Sequence, residues 1–379
     1  MRIQTLLHDL SARFNRRTLP QLRHEGNFVL KEGKKLLNLA SNDYLNLAQR
    51  EDLRVQFLSQ FEGKIPPFSA SSSRSLSGNF AIYEAFEGYL GALFGGREVL
   101  HFNSGYHCNL SCIAALATLP ETLFLCDKFA HASIIDGLRL SGAKFFRFRH
   151  NDVRNLELLL EKHHKNYKNF IIISEALFSM EGDFARLRDL IALKKRFGGV
   201  YLYLDEAHSV GCFGGGLGWA AELGLAAGVD FLVLTFGKAL ASVGACMVAA
   251  GGMRDFFINT ARGLIYSTAL PPINVAWSLF VFKKMREFEG ERKRLLALAS
   301  AFKKALEARG GLVLGEAYIL SLILGDNQRA LEFAAGLEKS GFFAPAIRSP
   351  TVPQNGARIR FSLHSGLEMS DLEGILALL

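Results

Sequence analysis

The feature that most constrains this chain is a regular alternation of short apolar runs with amphipathic segments through its middle. Glu98–Phe102, Thr122–Cys126, Lys144–Arg149, Phe170–Ser174, Val200–Asp205, Phe231–Thr235 and Ala245–Ala250 read as strands. Tyr106–Thr118, His131–Leu140, Asp152–His164 and Leu187–Phe197 read as helices. Strand–helix–strand alternation with apolar strands predicts an α/β domain, a mostly parallel large-domain sheet flanked by helices. In such a sheet the side chains that act on a ligand gather at the carboxyl ends of the strands.

The flanks have a different pattern. Residues 1–48 hold a basic helix and a short hairpin, Phe28–Leu30 with Leu36–Leu39. Beyond Pro271-Pro272 a helical stretch runs to about Arg309, then come strand-like Tyr318–Leu324 and Arg358–Leu363 and a helix near Arg329–Ser340. These segments predict a smaller α+β domain built from both ends of the chain. The expected division is 1–48 and 276–379 for the small domain and 49–275 for the large one.

At 379 residues with 49% hydrophobic and 21% charged side chains, a disordered or collagen-like chain is excluded. The net charge of +8 is spread without blocks, which suits an acidic substrate or carrier and does not call for nucleic acid. Leu223–Gly252 is the most apolar stretch, but it contains Asp230, Lys238 and several glycines, so buried strands are expected and no membrane span. Met1–Arg17 has no apolar core of a secretory signal. Five cysteines without a CxxC pair argue against a disulfide framework or a metal site and for a reducing cytoplasm.

Four places carry chemistry. Lys238, in Thr235-Phe236-Gly237-Lys238, follows an apolar strand and precedes small residues. Desolvation there favours the neutral amine, which can form a Schiff base. Asp205-Glu206-Ala207-His208 ends another strand, so its acid can hold a positively charged ring nitrogen while His208 faces the same ligand. A Schiff-base lysine with an acid that keeps a pyridine nitrogen protonated is what pyridoxal 5'-phosphate (PLP) requires. Asn103-Ser104-Gly105-Tyr106 opens a helix after a strand, where free N–H groups suit a phosphate. His131 can cap a helix or stack on a flat ring. The acid–His run also spells a helicase box, but no Gly-Lys pair here is followed by Ser or Thr, so a phosphate loop is missing. Gly214–Gly218 reads as a flexible loop.

Taken together these segments resemble the α-oxoamine synthase family, PLP enzymes of fold type I. The resemblance runs through Ser41-Asn42-Asp43-Tyr44-Leu45, Ser104-Gly105-Tyr106 with Asn109, His131-Ala132-Ser133 and His150-Asn151-Asp152-Val153. It continues through Phe178-Ser179-Met180-Glu181-Gly182-Asp183, the acid–His turn, Thr235–Lys238, Ile265-Tyr266-Ser267-Thr268, Pro271-Pro272 and Arg358-Ile359-Arg360. The chain departs from the family at Ser69–Arg74, where glycines are usual, at Asn46, and at Ala239 after the lysine.

The resemblance implies a set of roles. Lys238 carries the cofactor and moves the α-proton, and Asp205 pairs with the ring nitrogen. His208 and Ser179 bond the ring oxygen, and His131 stacks on the ring. Gly105, Tyr106 and Thr235 hold the phosphate, with Ser267 or Thr268 reaching it from a partner subunit. Asn42 and Arg360 take the amino-acid carboxylate. It also implies a cytoplasmic homodimer acting on L-alanine and a pimeloyl thioester, carried by coenzyme A or an acyl carrier protein. Glycine-using siblings share the same machinery.

Overall fold

The computed structural model describes residues 2–379, and the chain divides into two compact units. One comprises residues 50–178 and 184–289; the other comprises, among the described residues, 2–49, 179–183 and 290–379.

The first unit is built on a seven-stranded sheet. Its order is Glu98–Phe102, Ala245–Ala249, Phe231–Thr235, Val200–Asp205, Asn169–Glu175, Thr122–Asp127 and Phe145–Phe148. Ala245–Ala249 runs antiparallel to both neighbours and the remaining pairings are parallel. Six of the seven strands therefore end on the same edge. Helices Gly105–Leu116 and Ala132–Leu140 pack on one face. Cys108, Cys112, Ile113 and Leu116 meet Phe124, Ile171, Tyr203, Val233 and Met247 of the sheet in one buried cluster. All five cysteines are free and buried, and Cys108 and Cys112 act as packing residues there. Gly137 lets the two helices touch, since a Cβ there would lie 3.2 Å from Ile113.

The second unit holds two small sheets. One has the order Arg23–Glu25, Phe28–Lys31, Lys34–Asn38 and Phe342–Phe343, the last pair parallel. The other runs Val313–Leu314, Ile319–Gly325, Ala357–Ser362, Ala346–Ile347. Helices Glu289–Ala308 and Asn327–Lys339 complete it. Residues 179–183 join this unit closely: Gly182 has φ +70°, and a Cβ on it would sit 2.2 Å from the Ile319 carbonyl.

Three expectations change. The helical stretch after Pro271 is broken into Pro272–Lys283, a 3₁₀ turn at Met285–Phe288 and Glu289–Ala308. The boundary accordingly falls after residue 289, not 275, because Pro272–Lys283 packs on the sheet unit through Trp277, Phe280 and Phe282. Gly214–Gly218 is a tight turn, with positive φ at Gly214, Gly215, Gly216 and Gly218. Beside it the buried Glu206 carboxylate accepts the N–H groups of Trp219 and Ala220. Among the described residues no helix is long and apolar enough to cross a membrane.

The sheet unit depends on one buried acid. Glu87 pairs with Arg74 and with Arg254 at 3.0 Å and accepts the His101 N–H at 2.8 Å. Burial pushes its pKa up, but Arg74, Arg254 and the His101 N–H outweigh this and hold it below the ordinary range. A folded-state pKa below the unfolded one gives stability that is complete above the unfolded value and is lost as pH falls through the folded one. Glu87→Ala should therefore cost about 3–5 kcal/mol of unfolding free energy near neutral pH, since Arg74 stays buried and unpaired. Denaturant titration at falling pH should show the difference from wild type shrinking below the carboxylate range.

Candidate active site

Five parallel strand ends converge on a cavity of about 240 Å³ in the sheet unit. Its walls include Gly105 and Tyr106 after Glu98–Phe102, His131 after Thr122–Asp127, and Glu175, Asp205 and Thr235 at the ends of their own strands. His208 and Lys238 follow in the next turns.

Asp205 is the anchor. It is buried, its Oδ1 accepts the Ala207 N–H at 2.9 Å, and its Oδ2 accepts from Asn109 Nδ2 at 2.8 Å. Asn109 is oriented in turn by the Tyr203 hydroxyl, which donates to its Oδ1 at 2.7 Å. The same Asn109 Nδ2 donates to Ser133 Oγ at 2.9 Å. Ser133 Oγ lies 2.8 Å from His131 Nδ1, which also accepts the Ser133 N–H as the cap of helix Ala132–Leu140. With Nδ1 accepting, a neutral His131 carries its proton on Nε2. Desolvation by its surroundings lowers the His131 pKa; Asp205 pulls it up and the Lys238 charge pushes it down.

Lys238 Nζ lies 3.0 Å from His208 Nε2. The lysine sits in a tight loop, residues 236–244, between two paired strands, Thr235 facing Ala245. The Phe236 N–H to Gly244 carbonyl bond and the Ser242 N–H to Phe236 carbonyl bond, both 2.9 Å, close the loop. Trp277 Nε1 donates to the Ala241 carbonyl across it, also at 2.9 Å.

The helix Gly105–Leu116 begins at the cavity with Ser104 as its cap, accepting from His107 N–H. The first bond of its ladder runs from Cys108 N–H to the Ser104 carbonyl, so the N–H groups of Gly105 and Tyr106 precede the ladder. Gly105 is packed against Thr235; a Cβ would lie 2.5 Å from Thr235 Cγ2. A carboxylate held by two N–H donors, an amine beside it and an open helix N-terminus are the donor set that a phosphorylated pyridine aldehyde needs. PLP fits the residues present.

The other expected site residues lie elsewhere. Ser267 lines a narrow cleft with Arg74, Tyr83 and His101, and the Thr268 carbonyl accepts from Asn103 Nδ2 at 2.7 Å; neither lines the cavity of its own chain. Ser179, Asn42 and Arg360 are in the small unit. Arg360 is buried there: its Nε donates to the Ser179 carbonyl at 2.6 Å, its Nη1 to Asn42 Oδ1 and Ser362 Oγ, and its Nη2 to Asn42 Oδ1 and the Tyr44 hydroxyl. All these partners are neutral. Two residues away in the same strand, Arg358 pairs with Glu181 at 3.2 Å. Arg360 is thus a buried cation whose partners include no carboxylate. Of the remaining histidines, His150 pairs with the buried Asp127 at 2.9 Å and His101 stacks on Phe236.

Asn109, Ser133 and Glu175, to which the sequence motifs give no role, also line the cavity, and Tyr203 backs Asn109. Asn109 lies one helical turn after Gly105, which places both on one helix face toward the strand ends. Glu175 ends a strand whose centre, Phe170–Ile173, is apolar, a signal similar to the one that marked Asp205.

Residues 34–379 match the family described as aminotransferase class I and II. The chain is 47% identical over 375 residues to a Glaesserella parasuis protein named "Putative 8-amino-7-oxononanoate synthase", covering 98% of each. Its fold is similar to a serine palmitoyltransferase of S. paucimobilis with a bound PLP–myriocin aldimine, at 26% identity and a TM-score of 0.89, covering 99% of this chain and 95% of that one. It is also similar to 8-amino-7-oxononanoate synthase from Francisella tularensis, at 25% identity and a TM-score of 0.76, over 90% of this chain and 96% of that one. The mostly parallel sheet, the lysine loop and the full-length relatives together make this chain a member of the aminotransferase class I and II family, PLP-dependent enzymes of fold type I.

Proposed function

We propose that this enzyme joins L-alanine to a pimeloyl thioester of coenzyme A or an acyl carrier protein, giving 8-amino-7-oxononanoate, carbon dioxide and free thiol, a step of biotin synthesis. The observation that carries the reading is Lys238 and Asp205 in one cavity under the N-terminus of helix Gly105–Leu116. The name shared by full-length relatives supports the choice of substrates.

PLP, when bound, supplies a carbonyl carbon for amines and a protonated ring that accepts an electron pair. The chain does the rest. Asp205 would pair with the ring nitrogen, with its two oxygens held in place by Asn109 and the Ala207 N–H. The Lys238 amine removes the α-proton of alanine and later returns a proton, with His208 beside it. The α-carbon attacks the thioester carbonyl, the thiol leaves, and the carboxylate departs as carbon dioxide. His208 and Ser179 would hold the ring oxygen. The His131 ring, oriented through Ser133, would cover one face of the cofactor ring. Gly105 and Tyr106 N–H groups with the Thr235 hydroxyl take the phosphate. Asn42 and Arg360 take the alanine carboxylate, which gives Arg360 the anion its neutral partners do not provide.

We place the enzyme in the cytoplasm, where five free cysteines stay reduced. We also assign it as a homodimer in which Ser267 and Thr268 complete the partner's phosphate site, which accounts for their position outside their own cavity.

The test is thiol release from pimeloyl-CoA with L-alanine, glycine and L-serine in parallel, on PLP-loaded protein. Turnover with L-alanine alone is expected, and turnover only with glycine moves the assignment to a sibling reaction. Lys238→Ala should lower kcat by about 10²–10⁴-fold and abolish the covalent cofactor band in the visible spectrum. Arg360→Ala should raise KM for L-alanine by about 10–100-fold and leave that for pimeloyl-CoA near wild type. Mixing Lys238→Ala protein with a Ser267→Ala/Thr268→Ala variant should restore part of the activity that each lacks, because one intact site forms in each mixed dimer.

A further inference from the structure

Glu175 ends its strand level with Asp205, the two residues being direct neighbours across the sheet. It is 3% exposed and lines the same cavity. Its surroundings treat it differently from Asp205. Both oxygens of Asp205 are bonded to N–H donors, whereas Glu175 Oε1 has no hydrogen-bond partner and the carboxyl receives the backbone N–H of His131.

Two buried carboxyl groups side by side cannot both hold a negative charge cheaply, and the one with fewer donors takes the proton. The charged and titratable groups around Glu175 are Asp205 on the neighbouring strand Val200–Asp205, Asp127 on Thr122–Asp127, and Lys238 in the loop after Phe231–Thr235. His208 shares the cavity wall. Burial, then Asp205, raises the Glu175 pKa well above the carboxylate range; Lys238 and the His131 N–H act against this, and Asp127 adds to it.

Resting on the reading that the cavity holds PLP, we propose that Glu175 faces it as a neutral carboxylic acid and donates a hydrogen bond to an oxygen of the bound cofactor. Oε1 has no partner within this chain, which leaves it free to bond an oxygen of the occupant. The division of labour follows: Asp205, held by two N–H donors, would pair with the ring nitrogen, and Glu175 would donate. An ionised Glu175 would instead repel a phosphorylated, carboxylate-bearing occupant.

Infrared difference spectra of cofactor-free wild type and Glu175→Gln test the protonation directly. A carboxylic-acid C=O band present in wild type and lost in the variant is expected at neutral pH. A carboxylate band lost in its place overturns the proposal, and this readout does not depend on whether PLP binds. The donation is tested by PLP dissociation constants, with melting curves confirming that each variant folds. Glu175→Gln keeps an N–H donor and should bind PLP within about 2-fold of wild type, while Glu175→Leu should bind about 2–10-fold more weakly. Equal affinity of the Leu variant and wild type overturns the donation. Failure of wild type to take up PLP, read from its visible spectrum, counts against the functional reading and leaves the infrared result to stand alone.

Discussion

The site depends on the hydrogen bonding of one carboxylate. Asp205 sits at the buried end of a strand in which Tyr201 is the exposed residue, and it is held by the Ala207 N–H and by Asn109. Asn109 can serve it only because Tyr203, from the same strand, fixes the amide orientation. The chain then runs through Ser133 to His131, so the tautomer of the ring at the cavity wall is coupled to the acid at its floor. Buried polar networks are stabilising only when each member is satisfied. This one is satisfied down to His131, and Glu175 Oε1 is the unsatisfied atom at its border.

The small unit uses the opposite device. Arg360 is surrounded by carbonyl, amide and hydroxyl oxygens that orient its guanidinium without neutralising it. Its neighbour Arg358 is paired with the Glu181 carboxylate. Two arginines on one face of a strand thus differ by a single acidic partner.

Much of this was legible in the sequence. The strands Glu98–Phe102, Val200–Asp205 and Phe231–Thr235 lie where the apolar runs end. Lys238, Asp205, His131, Gly105, Tyr106, His208 and Thr235 do share one cavity. The misses have local causes. Helices Glu51–Ser59 and Ala81–Leu93 start at Arg50 and Phe80, which give no side-chain cap, so the usual start signal is absent. The break at Met285–Phe288 involves no proline or glycine, and Gly216 packing against Met285 is visible only in three dimensions. Asn46 adopts φ +55°, which explains why an asparagine can stand where glycine is usual. At Ala239 the close neighbour is Gly211, whose own Cβ would come within 2.7 Å, so the missing glycine reappears across the contact.

The reversed strand Ala245–Ala249 has a consequence for the lysine. Parallel neighbours need a crossover of a dozen or more residues, but antiparallel ones can be joined by a short return. Reversal of this one strand lets Lys238 ride on a loop whose two feet, Thr235 and Ala245, are adjacent in the sheet. A short return has little closure entropy to lose and little slack to give. The amine is therefore tethered like the tip of a stiff staple, so its reach over the cavity comes from the side chain's own four carbons and not from backbone motion.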